Sequence, residues 1–100
     1  MLTFNVTFKC RPEMREEYLE MILTEGIDAA ARAEAGNLGY DFYLPVDSAD
    51  DLLLIEKYTD DEAVRTHVTQ PHTAKLTELN KQYVTAVVME KFEGGEKMQF

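Results

Sequence analysis

Residues 52–76 read LLLIEKYTDDEAVRTHVTQPHTAKL, and the fold turns on where this stretch changes its period. Leu52 to Ile55 is continuously apolar before Glu56, Lys57 and Tyr58, the pattern of a strand buried on both faces. Thr59, Asp60, Asp61 and Glu62 fit a capping box, in which the Thr59 hydroxyl accepts from the backbone three residues on and Glu62 reaches back, so a helix starts there. Pro71 ends it, because a proline ring disfavours helical backbone at the residue before it, here Gln70; the same proline suits the first turn of a new helix. That second helix is expected to run to about Tyr83, with Leu76, Leu79 and Tyr83 on one side.

Upstream, Leu2, Phe4, Val6 and Phe8 alternate with Thr3, Asn5, Thr7 and Lys9, which is a strand with one apolar face. Asn5 is unusual there, since asparagine is disfavoured inside strands, and its amide becomes a candidate binding group. Pro12 and the acidic Glu13, Glu16 and Glu17 suit a helix start. One long helix is expected, its apolar face running through Tyr18, Leu19, Ile22, Gly26, Ala29, Ala30 and Ala33, with Gly36 and Asn37 as a left-handed cap. Leu38 to Leu44 alternates again and is closed by Pro45 and a polar turn to Asp51, so a second strand joins the third in an antiparallel hairpin. Downstream, Val84 to Phe92 is rich in β-formers, and Gly94 and Gly95 release a short tail. The chain divides into one domain, residues 1–93, and a tail, residues 94–100.

The order strand, helix, strand, strand, helix pair, strand is that of an α+β, ferredoxin-like split β-α-β unit: a four-stranded antiparallel sheet with helices on one face. Strands three and four offer apolar residues to both sides, and the helices cover only one. A second copy is therefore expected on the other face, giving a homodimer through the sheet.

One hundred residues bury a single core. Ten basic residues against nineteen acidic ones leave a formal charge of −9, which repels phosphate backbones and anionic lipid headgroups, so neither nucleic acid nor membrane is an expected partner. No apolar run approaches the ~20 residues of a membrane span, no signal-peptide pattern opens the chain, and the lone Cys10 forms no internal disulfide; a cytoplasmic protein with a structural cysteine is expected.

The two histidines, His67 and His72, are the candidate acid–base groups, because imidazole titrates near neutral pH. On one continuous helix, at ~100° per residue, they would stand about 140° apart; the corner at Pro71 lets both approach one cavity. Five-residue spacing across a break, without a cysteine or a third ligand at metal-site spacing, is not a metal motif, so no metal is expected. The five glycines form no phosphate loop, so no nucleotide cofactor is expected either. Tyr40, Tyr43, Glu56 and Tyr58 on the neighbouring strands supply aromatic walls and polar groups for a small-molecule pocket.

EAGNLGYDFY followed by LLLIEKYTDDEAVRTHVTQPH resembles the antibiotic biosynthesis monooxygenase (ABM) family, through Glu34, Gly36, Tyr40, Glu56, Tyr58, Ala63, His67, Pro71 and His72. The resemblance implies a dimeric ferredoxin-like α+β barrel with a pocket between sheet and helices in each subunit. Members of that family oxidise quinols or polyketide phenols without metal or flavin, degrade haem, or process phosphorylated autoinducer-2, and the GNL and EKYTDDEAV segments look closest to the last branch. The haem-degrading branch uses an Asn, a Trp and a His. Asn5 matches the first, but His67 stands at the Trp position, Thr77 at the His position, and the chain has no Trp.

The reading preferred on these grounds is a cofactor-independent monooxygenase of a small electron-rich aromatic such as a quinol, with His67 or His72 as base, Asn5 holding substrate or oxygen, and the tyrosines as walls. The alternatives are an isomerase-like enzyme for a small phosphorylated signal, whose phosphate would need Lys57, Arg65 or Lys75, and a non-catalytic ligand-binding dimer.

Overall fold

The computed structural model describes Met1–Phe100. Its elements are β1 (Leu2–Cys10), α1 (Arg15–Thr24), α2 (Ile27–Arg32), β2 (Asn37–Tyr43), β3 (Asp51–Tyr58), α3 (Asp61–Val68), α4 (Pro71–Tyr83) and β4 (Val84–Glu93). The strands form one antiparallel sheet in the order β2-β3-β1-β4, and the expected ferredoxin-like α+β fold with helices on one face is what the chain adopts. No helix is long and apolar enough to cross a membrane.

Register fixes which side chains face the helices. Phe4 pairs with Glu56, Val6 with Leu54 and Phe8 with Leu52 across β1 and β3, while Tyr40 pairs with Glu56 and Phe42 with Leu54 across β2 and β3. Since strand side chains alternate between faces, this set forms one surface. Val6, Phe8, Leu52, Leu54 and Tyr40 on it pack with Tyr18, Ile22, Ile27, Ala31 and Tyr83 into the core. Burying each large apolar side chain contributes ~1.5–3 kcal/mol.

The opposite face carries Asn5, Leu53, Ile55, Tyr43, Val88 and Phe92. Burial along β3 alternates between full on the helix side and partial on this one, so the continuous apolar run reflects one core face and one uncovered apolar face. The tail follows this side of β1: Thr3 Oγ1 donates to Gly94 O at 2.8 Å and Lys57 Nζ to Gly95 O at 2.8 Å.

Four local expectations are corrected. The long first helix is two: Gly26 adopts a left-handed φ of 69°, which resets the helical phase so that Ile27 and Ala31 are buried while Ala29 and Ala33 are exposed. Glu13, with φ 68°, delays the start of α1 to Arg15, past Pro12. Gly36 is not a left-handed cap, for α2 ends at Arg32; a Cβ on Gly36 would stand 2.3 Å from Ala63 Cβ, so this glycine lets β2 pass close to α3. Lastly, the α3 cap is Asp60, whose carboxylate accepts from Ala63 N at 2.9 Å; the side-chain oxygen sits one residue later than the capping-box pattern of Thr59 implied.

Candidate active site

The corner between α3 and α4 forms as its proline requires. Gln70 is extended, with φ −77° and ψ 149°, as a residue before proline must be, and its amide donates to His67 O at 3.1 Å. Pro71 then opens α4 without losing a helical hydrogen bond. The turn folds His72 back toward His67, whose ring centroids lie 5.9 Å apart.

Both imidazoles end on one carboxylate. Glu34 Oε2 lies 2.7 Å from His67 Nδ1 and 2.5 Å from His72 Nε2, and all three side chains are 10–13% exposed. An ionised carboxylate only accepts, so each nitrogen facing it carries a hydrogen. For neutral His67 the other nitrogen, Nε2, is then a lone-pair acceptor. Its neighbours are Glu56 Oε1 at 3.4 Å and Thr73 Oγ1 at 3.5 Å. The Thr73 hydroxyl hydrogen is committed to His67 O at 2.7 Å.

Glu56 is 8% exposed. Burial pushes its carboxyl above the usual range and Glu34 adds to that, against the opposing hydrogen bond from Tyr58 and charge on His67. Tyr58 donates to Glu56 Oε1 at 2.5 Å. Tyr40 and Tyr58 flank the His67 ring at centroid distances of 6.0 and 5.2 Å, and burial raises both phenols so far that they remain O–H donors. The resulting pair is a base nitrogen held by one carboxylate and, beside it, a carboxyl group biased toward its neutral acid form.

His67, Glu56 and Tyr58 open onto a cavity of about 220 Å³ between the sheet and helices α3 and α4. Its walls are mostly apolar, with Phe4, Val6 and Phe8 from β1 and Leu76 from α4 among them, and Tyr40, Thr73 and Asn80 complete the polar fringe. No Lys or Arg lines it.

Of the residues singled out from sequence, Tyr40, Glu56, Tyr58 and His67 meet at this cavity. His72 reaches it only through Glu34. Asn5 and Tyr43 do not reach it: β1 presents Phe4, Val6 and Phe8 to the cavity, and β2 presents Tyr40, so strand alternation puts Asn5 and Tyr43 on the opposite face. Lys57 shares that face and bonds the tail. Thr73 and Asn80 are functional candidates that sequence reasoning missed, and Glu34, named there only among the residues that carry the resemblance, was given no role in the site. Thr73, Leu76 and Asn80, spaced i, i+3, i+7, share one face of α4, a spacing that could have found Asn80. Glu34 had no local signal, since its partners are 33 and 38 residues away.

Glu34, His67 and His72 each offer one ligand atom, all within 4.8 Å of one another, so the cluster is also the place where a metal could bind, contrary to the expectation from spacing. The N···O distances of 2.5–2.7 Å are nevertheless those of hydrogen bonds. Tetrahedral ligands at ~2.0–2.1 Å from a zinc ion would stand roughly 3.3 Å apart, so the cluster would have to open to admit one.

Comparison with known proteins agrees with the fold. The family model described as "Antibiotic biosynthesis monooxygenase" matches residues 1–79. The Bacillus subtilis (strain 168) protein named "Putative monooxygenase YcnE" is 28% identical over 86 residues, 86% of this chain and 88% of its own. Among solved structures, PA3566 from Pseudomonas aeruginosa is 27% identical with a TM-score of 0.81, covering 95% of this chain and 94% of that one. Rv0793 from Mycobacterium tuberculosis, 24% identical with a TM-score of 0.83 over 98% of both chains, shares the fold.

Proposed function

The chain belongs to the antibiotic biosynthesis monooxygenase family, and from that premise we propose that it is a monooxygenase of a small, uncharged, electron-rich aromatic hydroxyl compound of the quinol type, with His67 as the base and no cofactor required. The observation that carries this reading is the Glu34–His67 hydrogen bond of 2.7 Å, which leaves the His67 Nε2 lone pair at the wall of an apolar cavity.

His67 Nε2 takes the hydroxyl proton of the substrate, written RH2, and Glu34 stabilises the imidazolium that forms. The anion RH⁻ is electron-rich and transfers an electron to O₂; the radical pair collapses to a carbon-bound peroxide, which takes the proton back from His67. Loss of water then needs a base for the second substrate hydrogen and an acid for the departing hydroxide. His67 and Glu56, whose carboxyl burial biases toward the protonated form, are placed for these roles. The balance is RH2 and O₂ giving RO and H₂O, so the substrate supplies all four electrons.

The cavity supports an uncharged ring. Its walls are apolar and nothing in its lining offers a cation for a phosphate, which counts against a phosphorylated signal. Covering the apolar outer face of the sheet, with Tyr43 49%, Val88 50% and Phe92 46% exposed, is the role we assign to a second copy. Oxygen-electrode assays with a panel of reduced naphthoquinols test the reading: consumption above that of a His67→Ala variant is expected, and no excess over that variant on any member would overturn it.

A further inference from the structure

We propose that Asn80 is a specificity residue, its amide N–H donating to a second oxygen on the far side of the substrate ring, and that Tyr18 is the residue that aims it. This rests on the reading of the cavity as an aromatic-substrate site.

Tyr18 is fully buried, between Phe8 at a centroid distance of 5.7 Å and Tyr83 at 5.6 Å. Its hydroxyl has one hydrogen-bond partner, the side chain of Asn80. A buried phenol hydrogen must find an acceptor, and in an amide only the oxygen accepts. Asn80 Oδ1 is therefore turned to Tyr18, and the –NH₂ group, which makes no hydrogen bond of its own, is left to the cavity that Asn80 lines. Burial keeps the Tyr18 phenol protonated, raising it far beyond its ordinary range, so the donor that fixes the amide persists at any working pH.

Position along β1 separates this donor from the base. Phe4 packs on Tyr58, at the His67 end, with centroids 6.2 Å apart, whereas Phe8 packs on Tyr18. Four residues of strand separate the two phenylalanines by about 13 Å. Two hydrogen bonds of ~2.8 Å, one at each end, leave roughly 7 Å for what lies between, which a one- or two-ring aromatic fills. The arrangement favours a ring with oxygen atoms at both ends over one with a single hydroxyl.

Anaerobic calorimetric binding of 1,4-dihydroxynaphthalene and 1-naphthol tests this without turnover. The native protein is expected to bind the two-oxygen probe about five- to tenfold more tightly, the discrimination one neutral hydrogen bond gives. Asn80→Leu should bind both probes alike, with 1-naphthol affinity within about twofold of native. Asn80→Ala removes the donor by simple truncation and offers the second hydroxyl no acceptor, so it should lose the preference even if the leucine variant folds poorly. Tyr18→Phe, which frees the amide to rotate, should lose part of it. Retention of the native preference in both Asn80 variants would overturn the assignment while leaving the site reading intact. Failure of the native protein to bind either probe would overturn both.

Discussion

Glu34 Oε2 and His67 Nδ1 lie 2.7 Å apart across 33 residues of chain, and this one hydrogen bond decides which imidazole nitrogen can act as a base. Glu34→Gln replaces the carboxylate, whose Oε2 takes both histidine hydrogens, with a neutral amide that can also turn its –NH₂ toward the rings. The variant is expected to lose roughly 100-fold or more in kcat on a reduced naphthoquinol, within the range of general-base catalysis, with KM little changed. Nitrogen NMR should show His67 as the Nδ1–H tautomer in the native protein and a tautomer mixture in the variant. An unaltered kcat would remove Glu34 from the mechanism.

The two histidines are expected to differ in weight. His67 reaches the cavity and His72 reaches only Glu34, so His67→Gln should lower kcat about 10²–10⁴-fold, while His72→Gln should cost about tenfold or less by loosening Glu34. Steady-state oxygen uptake by the two variants, with melting curves to confirm folding, measures the contrast. Equal losses would mean that the proton passes through both rings.

Glu56 makes stability depend on pH in a definite direction. Its carboxyl is raised above the ordinary 4.5 in the folded chain, chiefly by burial, so the folded state holds its proton where the unfolded state has released it. Stability from this group is complete below about pH 4.5 and declines as pH climbs toward the raised folded value. Thermal melts of the native protein and Glu56→Gln across pH 4 to 8 should diverge, the glutamine variant falling less with rising pH. Parallel curves would show that Glu56 ionises normally.

The sheet and helix order were legible because each depends on neighbours in sequence: alternation in β1 and the restriction that Pro71 places on Gln70. The break at Gly26 was not, since glycine at a small-residue position fits a continuous helix facing a sheet equally well, and only packing of Ile27 and Ala31 selects the reset phase. Asn5 and Tyr43 were attractive by residue type, but parity already argued against them. Asn5 alternates with the apolar face of β1, and Tyr43, three residues from Tyr40, must point the other way. Glu34 and Asn80 lay beyond local reading because their partners, His67 and Tyr18, are brought to them only by the folded chain.

The outer face of the sheet supplies a test of assembly. Leu53 and Ile55 are only partly buried there, beside the exposed Val88 and Phe92, and a second copy would bury all four. With a second copy on this face, the native protein is expected to sediment as a dimer and Ile55→Glu as a monomer, since an unpaired charge at the centre of an apolar interface is strongly disfavoured. A monomeric native protein would refute the second copy.

Close passage of β2 under α3 at Gly36 ties the sheet edge to the helix that carries His67. A Cβ added at Gly36 would meet Ala63 Cβ at 2.3 Å, with Thr59 Oγ1 at 3.3 Å, while Gly36 O accepts from Thr59 N at 2.9 Å and resists displacement of the strand. Gly36→Ala should therefore cost ~1–3 kcal/mol of stability through overpacking. Because the clash is with one methyl group, Ala63→Gly in the same chain should recover part of that loss, although a glycine within α3 itself costs ~1 kcal/mol. Denaturant unfolding of the two single variants and the double variant forms a cycle that isolates the contact. Additive losses, with no recovery in the double variant, would show that Gly36 is required for its backbone and not for the space it leaves to Ala63.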